Sequence, residues 1–375
     1  MNKKGFTLVE LLAVIAILAI LVIIALPNVI KLYNNAKKNS FITETKTIYS
    51  EVSKKYISES MKGNKLSYVS SEDDTKLEMT GRDLQYCVLL NSDGSVKSMK
   101  VSNGEWIAEL PSGKKITDLK NADLKDGNLN DYDCYNPFRD DPWVTIANNV
   151  KVGNTSKYNV GDEKEVDLGT YGKHMVRIAN LNTPSECNQE GFSQSACGFV
   201  VEFTDIITTH NMNPSGDYNG KTYQYGWNKD GWIKSQMKMF IDNDIYNSLP
   251  PELKSVIIDT KTVSGHGIED TNNITSPEDK LYLLAPKEIY SDWSYQFDSA
   301  RDYTRQLDYY EGVTTKSGKY SKAIKNNSAG SVSYWWLRCA RSNFDSIFYI
   351  VVGNGGIAEA NARGTYGVSP AFRIG

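Results

Sequence analysis

Between Phe6 and Ile30 the chain holds one ionisable side chain, the carboxylate of Glu10. In an apolar run of that length a carboxylate costs about 2.5–3.5 kcal/mol at a bilayer centre. A simple membrane anchor has no use for it, whereas an assembling subunit does, because a neighbour can supply the matching cation. Five cysteines offer the next chemistry. Cys187 and Cys197 bracket a polar, small-residue loop and are expected to pair. Cys87 and Cys134 are the expected second pair, allowed if the body lies outside the cytoplasm. Cys339 is then left over, inside an apolar stretch, and reads as a buried structural thiol. His174, His210 and His266 are scattered, and no Cys/His spacing suggests zinc, so no metal and no cofactor are expected. Asp126, Asn128 and Asn130 alternate as calcium-loop ligands do, but the required glycine and distal glutamate are missing, so the stretch reads as a solvated loop. No GxSxG, HExxH or phosphate loop is present.

The elements that must carry these groups follow from periodicity. Residues 6–30 are apolar enough to span a bilayer, which takes roughly 20 residues, and Lys3 and Lys4 precede them. Pro27 should kink or loosen the helix. Phe41, Thr45, Ile48, Val52 and Tyr56 continue the helical spacing, so one helix is expected from residue 6 to about 62, with its second half packed on a globular head. Lysines cluster opposite that stripe, so the segment could instead lie on anionic lipid. Residues 84–90, 96–101 and 105–110 read as an antiparallel meander, joined by Asp93-Gly94 and Asn103-Gly104 turns. From residue 143 a second unit of mixed elements begins. Strands are expected at 173–181, 198–207, 256–262, 280–284, 333–340, 347–352 and 367–374, and a helix at 231–249 stopped by Pro250-Pro251.

Charge separates the two ends. Ten Lys against four Glu give residues 1–66 a charge of +6, which leaves −9 of the total −3 for residues 67–375. A mildly acidic body argues against nucleic-acid binding through a broad basic surface.

Lys4-Gly5-Phe6-Thr7-Leu8-Val9-Glu10-Leu11-Leu12 resembles the cleavage and methylation motif of type IV pilins and pseudopilins. The resemblance implies cleavage between Gly5 and Phe6 by a prepilin peptidase, and N-methylation of the new terminus on Phe6. It also implies that Glu10 of one subunit pairs with the Phe6 ammonium of the next. A secretory signal peptide would show a shorter apolar core followed by a small-residue cleavage site.

The C-terminal motifs carry a second resemblance. Residues 280–288 (KLYLLAPKE), 334–338 (YWWLR) and 367–374 (GVSPAFRI) are similar to an uncharacterised bacterial domain family with an "LLS..E … YWLRSP … GVRPA" pattern. That family is similar in turn to the C-type-lectin-like fold shared with formylglycine-generating enzymes. Ala285 and Ser369 stand where the pattern has Ser and Arg, and Arg373 is the nearby cation that could compensate. Those oxidases need two closely spaced cysteines in this region, and only Cys339 is present, so the chain is not expected to be an enzyme.

The expected fold class is α+β. A prepilin leader (1–5) precedes a transmembrane and assembly helix (6–30). A pilin-like head with an amphipathic helix and antiparallel sheet follows (31–140), and then a C-type-lectin-like accessory domain (143–375). The expected role is a minor, tip-type pilin displaying a recognition or adhesion domain. The alternatives are a pseudopilin of a type II secretion or competence system, and an enzyme domain on a pilin stem. Expected partners are the prepilin peptidase/N-methyltransferase, other pilin or pseudopilin subunits, the cytoplasmic membrane before assembly, and a surface glycan or protein ligand. Nucleic acid is not expected outside a DNA-uptake role. The expected location is a single-pass membrane protein that reaches the cell surface on assembly. Candidate ligand contacts are Trp335, Arg341, Asn343, Asp345, Asn354, Glu359, Arg363 and Tyr366. Trp335 and Trp336 alternate faces of a strand, so at least one should be core.

Overall fold

The computed structural model describes residues 8–375 except 65, 73–74, 79–83, 92, 130–133, 266, 269–272, 295–302 and 319–320, with the backbone alone at 273–275. Gly5 and Phe6 therefore lie outside the described residues, as do Asn130 and His266. The chain divides into two compact units, Met1–Tyr135 and Asn136–Gly375.

In the first unit one helix runs from Leu8 to Met61, 54 residues or about 80 Å at 1.5 Å per residue. Pro27 removes one backbone donor but does not end the helix. Up to Tyr33 its large apolar side chains are exposed. Beyond that, Phe41, Ile42, Thr45, Ile48 and Val52 are buried, on the side that packs on a five-stranded antiparallel sheet. The meander strands are Gln85–Leu90, Val96–Ser102 and Trp106–Leu110. Tyr68–Ser70 pairs with the first of them, and Lys125–Asp126 with the last. Asp126 is thus part of an edge strand rather than of a free loop. Gly94 turns one hairpin at φ +82°, and a Cβ there would fall 2.2 Å from the Tyr56 ring, so the turn and the helix face require each other. Cys87 and Cys134 form a disulfide within this unit.

The second unit is mostly sheet, with two five-stranded sheets that curl like half-barrels. One orders its strands as Ile257–Ile258, Ala371–Ile374, Val200–Phe203, Lys173–Asn180 and Glu163–Asp167. The other orders them as Ile357–Asn361, Ile347–Val351, Trp335–Ala340, Tyr366–Val368 and Thr208–His210. The last strand of the chain, expected to be continuous over 367–374, is split between the two sheets. Pro370 cannot donate to a ladder, and the buried Ser369 bends the chain by donating to the Phe203 and Asp205 carbonyls. Residues 281–285 are fully buried but form only one bridge, Tyr282 to Ala371, rather than the expected strand. The 231–249 segment is not one regular helix. Trp232–Lys234 is a 3₁₀ turn, Ser235 caps the helix Gln236–Phe240, and a π-turn follows at Ile241–Ile245.

Candidate functional site

Two fully buried charged centres, Arg338 with Glu288 and Lys325 with Glu202, account for motif residues of the C-terminal unit. Arg338 and Glu288 are fully buried and face each other in bidentate fashion, Nη1 to Oε2 at 2.7 Å and Nη2 to Oε1 at 2.6 Å. Arg338 also donates Nε to Ser264 Oγ, Nη1 to the Leu283 carbonyl and Nη2 to Ser195 Oγ. Glu288 accepts from the Ala285 backbone N–H at 2.8 Å, from Thr304 Oγ1 and from Ser195. Ser195 arrives on the loop closed by the Cys187–Cys197 disulfide. Fork geometry and complete hydrogen bonding are what make such a pair tolerable in a core.

The second centre joins Lys325, Glu202, Arg177, Tyr310 and Ser369. Lys325 Nζ donates to Glu202 Oε2 at 2.8 Å, to the Phe203 carbonyl and to Ser369 Oγ. Arg177 Nε and Tyr310 OH complete the carboxylate, each at 2.9 Å. Burial pushes the Lys325 amine down to about 8, against the pull of Glu202. Burial alone would raise the Glu202 carboxyl, but the Arg177 and Lys325 charges more than reverse it and hold it below its usual range. Lys325 is therefore the cation that meets Ser369. Arg373, expected in that part, instead donates Nε to the Cys197 carbonyl. Cys339 lies outside both disulfides and is buried.

The candidate ligand residues separate into a loop face, on which Asn343, Glu359 and Arg363 are exposed and Arg341 is largely covered, and others that are elsewhere. Arg341 donates Nε to Asn343 Oδ1 at 2.6 Å and bonds Glu359 through Nη1. Asp345 faces Lys221 at 3.3 Å. The Arg363 guanidinium lies 4.7 Å above the Tyr225 ring, and that of Arg341 lies 4.4 Å above Phe344. Tyr225 and Phe344 are 45% and 49% exposed. A buried amide organises this face. Asn228 Nδ2 donates to the Arg341, Phe344 and Ile347 carbonyls, and its backbone N–H donates to the Asp345 carbonyl. Two residues before Asn228, Gly226 adopts φ +77°, and a Cβ there would sit 2.3 Å from the Asn213 carbonyl oxygen.

Trp335 must be corrected: it is fully buried, its indole donates to the Ala323 carbonyl, and Lys325 lies over its ring. Both tryptophans of the pair are core, because their strand is central and covered on both faces. Tyr366 stacks on Tyr334 and meets Trp336 edge-on. Asn354 caps its own turn by accepting from the Gly356 N–H. Sequence reasoning missed Asn228, Tyr225, Phe344 and Lys221. Only Phe344, an apolar residue in a polar loop three positions after Arg341, left a local signal.

At the other end of the chain Glu10 is exposed in the first turn of the long helix, among exposed Leu, Val and Ile side chains. Among the described residues this is the helix long and apolar enough to cross a membrane.

Comparison with known proteins agrees with both ends. No curated protein and no solved structure matches the chain. Residues 204–375 match the family described as "Domain of unknown function (DUF6273)". Glu288, Lys325, Arg338 and Ser369 fall inside that match, while their partners Ser195, Glu202 and Arg177 precede it. Residues 1–26 match the "Prokaryotic N-terminal methylation motif", so the amino-terminal end of this chain is type IV pilin-like, a motif that implies processing by a prepilin peptidase and assembly with other pilin subunits.

Proposed function

We propose that the chain is a minor, tip-type subunit of a type IV pilus or related filament, and that its C-terminal unit is a lectin-like recognition module. The observation that carries the reading is the methylation motif continued by an exposed apolar helix with Glu10 in its first turn. In the assembled bundle the Glu10 carboxylate pairs with the Phe6 ammonium of the adjacent subunit, which favours the filament over the bilayer. Two observations support display. Two disulfides fit an oxidising compartment. A second unit at 136–375 is large for a subunit repeated along a tightly packed filament. The loop face of Asn343, Asp345, Glu359 and Arg363, with the exposed Tyr225 and Phe344 and a largely covered Arg341 that braces Asn343 and Glu359, supplies polar groups and ring surface suited to binding a glycan or protein. The role in this reading is binding rather than catalysis, and it is supported by Glu202, Glu288, Lys325 and Arg338 being fully buried in ion pairs.

The test is labelling of intact cells with a membrane-impermeant amine reagent, with the sheared filament fraction collected in parallel. The expected result is labelled chain, present in filaments at a small fraction of the dominant subunit. A membrane-bound chain that escapes the label would instead indicate a pseudopilin beneath the envelope. Recovery as the dominant subunit would overturn the minor role.

A further inference from the structure

The stem carries more positive charge on its exported side than topology asks for. Lysines flanking a membrane span favour the cytoplasmic side. Removal of residues 1–5 takes Lys3 and Lys4 away, so the mature helix is followed, just beyond its apolar run, by Lys31, Lys37 and Lys38. Lys31 and Lys38 border a notch within the first unit. It has a volume of about 420 Å³ and is walled by Ile30, Lys31, Asn34, Asn35, Lys38 and Trp106, beginning at Pro27. The notch is open to solvent rather than enclosed, as a site for a headgroup reached from the membrane surface would be. The Lys38 amine lies 5.6 Å from the centre of the Trp106 ring, which fixes one wall. Glu105 is the acidic group lining the notch, and Lys37 approaches it at 3.9 Å. Two lysines and one carboxylate therefore line the notch, Lys37 pairs with that carboxylate, and the two asparagines add neutral amide donors.

From Ile30 to Lys38 the helix rises about 12 Å, enough to cross a headgroup layer of about 5–8 Å. We propose that this notch binds the phosphate of an anionic phospholipid headgroup, in the leaflet where the stem helix leaves the membrane. The lipid holds the subunit at a fixed depth before it joins a filament. The proposal rests on the pilin-like reading of the N-terminus. It adds a ligand to the basic stem, which assembly through Glu10 does not use.

The full chain in detergent micelles is titrated with dihexanoyl phosphatidylglycerol, dihexanoyl phosphatidylcholine and inorganic phosphate, by calorimetry and native mass spectrometry. The expected result is saturable binding of one phosphatidylglycerol, with phosphatidylcholine and phosphate at least tenfold weaker. The double variant K31Q/K38Q is expected to weaken phosphatidylglycerol binding roughly 30-fold, the effect of two lysine contacts at a bilayer surface. K46Q/K54Q removes the same charge from exposed stem positions away from the notch and is expected to change binding less than twofold. Equal binding of phosphatidylcholine, or equal weakening by the two double variants, would overturn the site. Inorganic phosphate binding as tightly as the lipid would reduce it to a general anion site and overturn the lipid assignment. The intact mass of the same preparation separates the two readings. A processed chain that fails to bind lipid counts against the notch alone, and a chain still carrying residues 1–5 counts against the reading of the N-terminus.

Discussion

Replacing Glu288 with Gln tests whether the motif residues of the C-terminal unit serve its core. The substitution keeps the volume and most of the hydrogen bonds to Ala285, Thr304 and Ser195, but leaves the Arg338 guanidinium without its countercharge in a site of zero exposure. Removing one partner of a buried pair costs about 3–5 kcal/mol, a large part of the 5–15 kcal/mol that holds a typical domain. Removing both partners costs less, because no charge is then stranded. E288L/R338M is therefore expected to be more stable than the sum of its single variants by about 0.5–3 kcal/mol. Urea unfolding of the full chain, followed by tryptophan fluorescence, reads this unit selectively, since Trp106 is the one tryptophan before residue 136. A loss below about 1 kcal/mol for E288Q, or strictly additive single variants, would refute the assignment.

Glu10→Leu should leave the chain processed and in the membrane but absent from filaments, and normal incorporation on immunoblots of sheared filaments would discredit charge pairing. The two disulfides should differ in weight. Losing Cys87–Cys134, whose ends are 47 positions apart, is expected to cost about 4 kcal/mol, and losing Cys187–Cys197, 10 positions apart, about 3 kcal/mol, as read from midpoints of Cys→Ser variants. Lys325 should give the unit an alkaline signature. Its amine titrates near 8 when folded and near 10.5 when unfolded, so between those values the unfolded chain binds more protons. The cost of holding the buried charge is present below about 8 and is relieved as pH rises. Wild type should thus gain stability relative to K325M between pH 8 and 10, and parallel curves would contradict the assignment.

Much of the molecule was legible where the signal is local. The helix expected over 6–62 is described from Leu8 to Met61, and the Asp93-Gly94 and Asn103-Gly104 turns lie where the meander needed them. Both expected cysteine pairs form. The remainder depends on distant partners. Arg338 meets Glu288 across 50 residues, and Lys325 meets Glu202 across 123, separations at which no periodicity or spacing speaks. Trp335 looked like a surface contact because an alternating strand usually leaves one face open, but this strand is covered on both. Asn228 reads as an ordinary loop residue, and only the folded chain brings three carbonyls of 341–347 to its amide. Arg373 was the nearest cation to Ser369 in sequence, while Lys325 is the one in contact.

The most direct test of the account is the intact mass and amino-terminal peptide of the chain recovered from the filament fraction. Processing by a prepilin peptidase should yield a chain that begins at Phe6 and carries one methyl group on its amine. A chain that keeps Met1–Gly5, or one cut elsewhere and recovered from the membrane alone, would contradict it.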